Sequence, residues 1–141
     1  MKAVIDTNVI AYYLLGTPEF AEEAREFWHG SSELLAPALW EAELANVAWM
    51  AVRTGGLTDV EASLKLRFAA RLGIHSVAMR TLWQGALIRA LESNVAVYDT
   101  LFVELADREQ VPLVTFDQKL LDAYPAVAKR PRDLLISRDC R

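Results

Sequence analysis

The chain has 141 residues, 53% hydrophobic and 24% charged, the balance of a soluble globular protein long enough to bury a core. No apolar stretch reaches the ~20 residues of a membrane helix, and the MKAVIDTN start has no signal-like apolar run. The lone cysteine, Cys140, excludes an internal disulfide and fits a reducing compartment, so a cytoplasmic location is expected. Fifteen Lys and Arg against nineteen Asp and Glu give a net charge of −4. That is the wrong sign for a protein that holds polyanions through a basic surface, unless clustered acids bind cations and reverse the local field.

In chain order, KAVID predicts a first strand, cut off by Thr7 and Asn8. A short helix is expected over 8–15, a second over PEFAEEAREFWHG with Pro18 in its first turn, and a second strand at SELLAP. From Ala38 to Thr54 the spacing of Leu39, Glu43, Val47 and Met50 predicts one face of a helix, stopped by Gly55-Gly56. Two further helices are expected over Asp59–Leu72 and Ala78–Leu91, with a short strand at Ile74–Val77 between them. A short apolar run at 95–97 precedes a strong helix from Tyr98 to about Glu109. VPLVTF then reads as a strand and DQKLLDAY as a helix. The last segment, AKRPRDLLISRDCR, is locally basic and reads as a solvated tail able to touch phosphates. No repeat or linker divides the chain, so one domain over 1–141 is expected. Strands alternating with helices imply an α/β/α sandwich around a mostly parallel sheet.

Parallel strands bring their carboxyl ends to one edge of a sheet, where such folds gather their ligand sites. Asp6 ends the first strand, Asp117 follows the VPLVT strand, and Asp99 follows the 95–97 run at the opening of the next helix. Glu43 joins them by another route. Its helical neighbours Leu39, Trp40, Asn46 and Val47 are apolar or neutral, and a carboxylate on such a stripe needs a cation or hydrogen bonds. Asp99 likewise interrupts a stripe of Val95, Ala96, Phe102 and Val103. Each acid alone has a plain structural explanation: helix caps for Asp117 and Asp99, a turn for Asp6, a solvated helix face for Glu43. All four together point to a cation, and oxygen donors favour Mg²⁺ or Mn²⁺ over zinc. His29 and His75 have no metal-type spacing, and no phosphate loop, nucleophile elbow or Cys–His pairing is present. Glu104 and Arg108 form an i,i+4 pair of the kind found on helix surfaces.

Four segments, VIDTNVI, LWEAELANVAW, VYDTLFVELA and VTFDQKL, resemble in order the motifs of PIN-domain nucleases, and most closely those of VapC-type toxins. The resemblance runs from the first strand to about Leu121. It implies a metal-dependent ribonuclease whose acidic ligands fall on Asp6, Glu43, Asp99 and Asp117, with polar helpers at Asn8 and Thr115. It further implies an RNA substrate, a homodimer and an antitoxin partner. Trp28, Trp40, Trp49 and Trp83 would ordinarily serve the core, and any that is exposed offers material for those contacts. Two other readings compete: a catalytically silent PIN-like binding module, and a receiver-like phosphoacceptor domain. The second fits poorly, because Asp117 is late and Lys119 follows it within the next helix.

Overall fold

The computed structural model describes residues 1–139; Cys140 lies outside them. Five parallel strands form one sheet: β1 (Lys2–Ile5), β2 (Glu33–Pro37), β3 (His75–Val77), β4 (Leu113–Val114) and β5 (Ala128–Lys129), in the order β3-β2-β1-β4-β5. β1 sits at the centre, with Val4 opposite Leu35 on one side and Leu113 on the other. Ala3, Val4 and Ile5 are fully buried, the signature of a parallel strand covered on both faces. The chain leaves β1 towards β2 and returns on the opposite side as β4, so the order reverses at the β1/β4 boundary. That reversal is where open α/β sheets hold their ligands.

Among the described residues eight α-helices surround the sheet: α1 (Thr7–Leu15), α2 (Ala21–Gly30), α3 (Leu39–Arg53), α4 (Asp59–Ala69), α5 (Trp83–Ser93), α6 (Val97–Glu109), α7 (Gln118–Ala123) and α8 (Pro131–Asp139). None of the described helices is long and apolar enough to cross a membrane. α1 ends where Gly16 turns left-handed at φ 69° and its N–H reaches the Tyr12 carbonyl. α4 starts with a capping box, the Thr58 hydroxyl and the Glu61 carboxylate each accepting the other's backbone N–H. In α6 every residue from Thr100 to Ala106 is buried.

Three expectations from sequence are corrected. The basic C-terminal segment is not a solvated tail: Ala128–Lys129 adds β5 to the sheet, and Pro131 opens α8, which packs on α2. The buried stripe of α3 is Trp40, Leu44 and Ala48, so the Leu39–Glu43–Val47 row flanks the core and Met50 is exposed. α6 begins at Val97, one residue before the expected start at Tyr98. Trp49 and Trp83 are more than half exposed, whereas Trp40 is buried and its indole N–H donates to Ser76 Oγ at 2.8 Å.

Glu104 also departs from the surface pair expected of it. It is buried between α5 and α6, accepting from Arg89 Nε at 2.7 Å and Arg108 Nε at 2.9 Å. Arg89 also bonds Asp107, and Arg108 Nη1 donates to the Thr81 carbonyl. A carboxylate so buried persists because two guanidiniums compensate it, which holds its pKa below the usual range despite desolvation. Gly85 of α5 makes room for it, since a Cβ there would collide with the Glu104 carboxyl group. Held by two arginines, that carboxyl cannot step aside cheaply. Gly85→Ala should therefore destabilise the protein by about 1–3 kcal/mol, read as a lower urea midpoint with an unchanged m-value.

Candidate active site

Asp6 follows the last residue of β1 and is the N-terminal flanking residue of α1. Its backbone N–H donates to the Val114 carbonyl at 2.9 Å, fixing the residue against β4. The carboxylate is buried. Thr115 Oγ1, just past β4, donates to Asp6 Oδ2 at 2.8 Å, and Asn8 Nδ2 approaches the same oxygen at 3.4 Å. Asn8 also reaches Thr115 Oγ1 at 3.4 Å and accepts the Phe116 N–H at 3.3 Å. The Asp117 N–H donates to Thr115 Oγ1 at 2.9 Å. Thr115 and Asn8 thus stitch the ends of β1 and β4 together around one carboxylate.

Desolvation pushes Asp6 up to about 7, against the Thr115 hydrogen bond, and the charges of Glu43 and Asp99 push the same way. Glu43 is half-buried on α3 and also raised, first by burial, then by Asp99. Its Oε1 accepts from the buried Thr7 hydroxyl at 2.7 Å. Asp99 stands in the first turn of α6, raised by burial and by Asp117 and opposed by Lys119. Lys119 Nζ lies 3.8 Å from Asp99 Oδ2. Asp117 caps α7, accepting the Lys119 N–H at 2.9 Å, so the cap expected of it exists alongside its place at the carboxyl edge.

All four acids and both polar residues singled out from sequence therefore gather at the carboxyl edge beside the β1/β4 reversal. They form a chain of electrostatic neighbours, Glu43 and Asp99 around Asp6, then Asp117 beyond Asp99. Among the described residues no three such side chains already close into a metal cage. The donor set nonetheless fits a hard divalent cation: all ligating atoms are carboxylate oxygens, and a buried carboxylate this crowded by like charge is stabilised by a cation. Asp6 is anchored, so closure onto one ion falls to rotamers of the partly exposed Glu43, Asp99 and Asp117. A groove of 530 Å³ between α1, α2 and α4, lined in part by Tyr13, Arg25, Leu64 and Phe68, includes none of these acids.

Thr7 and Lys119 belong to this constellation beside the six residues chosen from sequence. A threonine in the first turn of a helix is ordinarily a local hydrogen-bonding residue; only the packing of α3 against α1 reveals that Thr7 serves Glu43. Thr7→Val keeps the shape and removes the donor, leaving Glu43 free to turn away. Divalent-ion affinity at the acidic edge should fall about 10-fold in that variant, the loss expected on deleting a group that orients a metal ligand, with Thr7→Ser close to wild type. Mn²⁺ titrations of the three proteins at matched folding stability check this.

Comparison with known proteins agrees with the topology. Residues 3–126 match the PIN domain. The chain is 34% identical over 131 residues to Ribonuclease VapC3 of Pyrobaculum aerophilum, spanning 90% of this chain and 98% of that protein. The crystal structure of PAE2754 from the same organism superposes with a TM-score of 0.75 at 18% identity, covering all of this chain and 91% of that one. A toxin–antitoxin complex from Klebsiella pneumoniae superposes at 0.66 and 17% identity, over 92% of this chain and 97% of that one. With a family match over most of its length and a close relative of the same extent, the chain belongs to the PIN-domain family.

Proposed function

We propose that this chain is a metal-dependent endoribonuclease and the toxin of a type II toxin–antitoxin pair. The observation that carries the reading is the gathering of Asp6, Glu43, Asp99 and Asp117 at the sheet's reversal point, in a chain that is 34% identical to a VapC ribonuclease. Asp6, Asp99 and Asp117 would hold a Mg²⁺ or Mn²⁺ ion, with Glu43 completing a second ion's shell or orienting water. A divalent ion bound there acidifies a coordinated water and offsets charge building on the phosphodiester. The chain supplies the rest. Thr115 and Asn8 lock Asp6, Thr7 steers one oxygen of Glu43, and the Asp117 cap on α7 holds the outer acid at the rim. Burial of Asp6 keeps bulk water from competing for its oxygens.

A cytoplasmic location agrees with this role. The proposed partners are an antitoxin, supported by the likeness to a toxin–antitoxin complex, and a second copy of the chain. α5 buries Ala86 against its own fold yet leaves Trp83 55%, Leu87 50% and Leu91 77% exposed along one face. An apolar row of this kind marks an association surface. Wild type should elute as a dimer and the Leu87→Lys/Leu91→Lys double variant as a monomer on size-exclusion chromatography.

The deciding experiment incubates the purified chain with a panel of single-stranded and structured RNAs in Mg²⁺, Mn²⁺ or EDTA. Metal-dependent cutting is expected. RNA binding without any cutting, under all three conditions, would instead make the chain a silent PIN-like binding module.

A further inference from the structure

The C-terminal segment returns to the acidic edge. β5 pairs with β4, with the Thr115 N–H donating to the Lys129 carbonyl at 3.0 Å, so Arg130 leaves the sheet at the same carboxyl end as Asp6 and Thr115. Its guanidinium is held from two directions. Nε donates to Glu23 Oε2 at 3.0 Å and Oε1 at 3.2 Å, and the planar group lies 5.7 Å from the Phe20 ring centre and 5.4 Å from that of Phe116.

Those rings form a cluster continuous with the site. Tyr12 stacks on Phe20 at 4.7 Å and meets Phe116 edge-on at 5.3 Å, while Phe20 and Phe116 lie 4.9 Å apart. Phe116 sits between Thr115 and Asp117, and its N–H is bonded to Asn8. Tyr12 lies one turn beyond Asn8 on the same face of α1. The cluster is therefore the immediate flank of the acids.

We propose that Arg130 contacts a backbone phosphate of RNA bound across this edge. The proposal rests on the reading of RNA as the substrate. A chain of net charge −4 with four acids at its site repels a polyanion, and a fixed cation beside the acids lowers that barrier. Glu23 engages Nε, and among the described residues neither Nη group has a hydrogen-bond partner, which suits the bidentate contact to a phosphate at which arginine excels. The Phe20 and Phe116 faces hold the group flat and limit the ordering cost of binding. Lys119 neighbours the acids too, but it is paired to Asp99 and more than half exposed, without comparable bracing.

The test measures anisotropy of a labelled mixed-sequence single-stranded RNA in EDTA, from about 50 to about 200 mM KCl. Wild type, Arg130→Gln, Glu23→Gln and the Glu23→Gln/Arg130→Gln double variant are compared, with melting curves for each. The double variant leaves no buried charge unpaired, so it reports on binding even where Arg130→Gln folds poorly. Both proteins lacking Arg130 should bind about 5- to 10-fold more weakly at low salt, with the log–log salt slope reduced by about 0.7. Glu23→Gln should keep the wild-type slope. Equal slopes in all four proteins overturn the proposal, as does a Glu23→Gln loss matching that of Arg130→Gln, which would make the pair only a staple between α2 and β5. Failure of wild type to bind RNA at low salt overturns it as well. RNA bound with the expected slope but never cut in Mg²⁺ or Mn²⁺ would sink the nuclease reading and leave the phosphate contact standing.

Discussion

Replacing Asp99 by Asn should lower RNA cleavage by roughly 1000-fold, a loss of about 4 kcal/mol in transition-state stabilisation, while the metal-free fold is untouched or slightly firmer. The two halves of that expectation come from one feature. Asp99 is half-buried beside Asp6, Glu43 and Asp117, and among the described residues its one ion pair is the long one to Lys119. Asn preserves the shape and removes one of four like charges, so repulsion among the acids falls. On the proposed function, the same change deletes a cation ligand and strips the site of charge the reaction needs. Rates from a labelled RNA, with melting curves in EDTA and in Mn²⁺, separate the two. Mn²⁺ should raise the melting temperature of wild type, because it binds only the folded site, and have little effect on the variant. A variant that cuts at wild-type speed would remove Asp99 from the site.

The acidic edge was legible because its logic is topological. β1 and β4 announce themselves as apolar runs, each ending at a polar residue, and parallel strands bring such ends together whatever lies between. Asp6 and Asp117 follow from that alone, whereas Asn8 and Thr115 enter only through the resemblance. Asp99 reaches the same edge from the first turn of α6, at the opening of the helix that follows the apolar run. Glu43 was placed on the right helix but on a face that proved half-buried, since a period of 3.6 identifies a stripe without stating how the helix is rotated against its neighbours. Trp40, Leu44 and Ala48 made that choice through packing.

What stayed hidden was short or long-range. β5 is two residues long, too brief for any alternation to register, and is recognisable only through its register with β4. Its basic surroundings read as solvated because charge pattern cannot tell a free arginine from one bonded to a glutamate 107 positions away. Glu104 is the same case at shorter range. Its i,i+4 partner was visible, but Arg89 and the space left by Gly85 came from another helix. Tryptophan was misleading in the opposite sense, for Trp49 and Trp83 are held at the surface, each under an arginine, Arg53 and Arg80.

Without divalent metal, the protein should be less stable at pH 8 than at pH 5, and Mg²⁺ should reverse that order. Asp6 carries the argument. Its folded-state pKa is about 7, against roughly 3.9 in an unfolded chain. The folded state therefore holds a proton that the unfolded state has released between those values. Stability from this group is complete below about pH 4 and disappears as pH rises through about 7, a change on the order of 4 kcal/mol. Glu43 and Asp99 are raised too and act in the same direction. Glu104, lowered by its arginines, acts in the opposite sense, but its contribution is lost only as pH falls below the ordinary carboxylate range, outside this window. A cation favours the ionised acids, so with Mg²⁺ the stabilisation should grow as pH rises and the ligands deprotonate. Urea midpoints at pH 5 and pH 8, in EDTA and in Mg²⁺, read all four conditions. Asp6→Asn should flatten most of the dependence in EDTA, because Asn can still accept the Thr115 hydroxyl and carries no charge. A wild-type protein whose metal-free stability is level from pH 5 to pH 8 would mean that Asp6 is ionised throughout, and that Thr115 and Asn8 alone offset its burial.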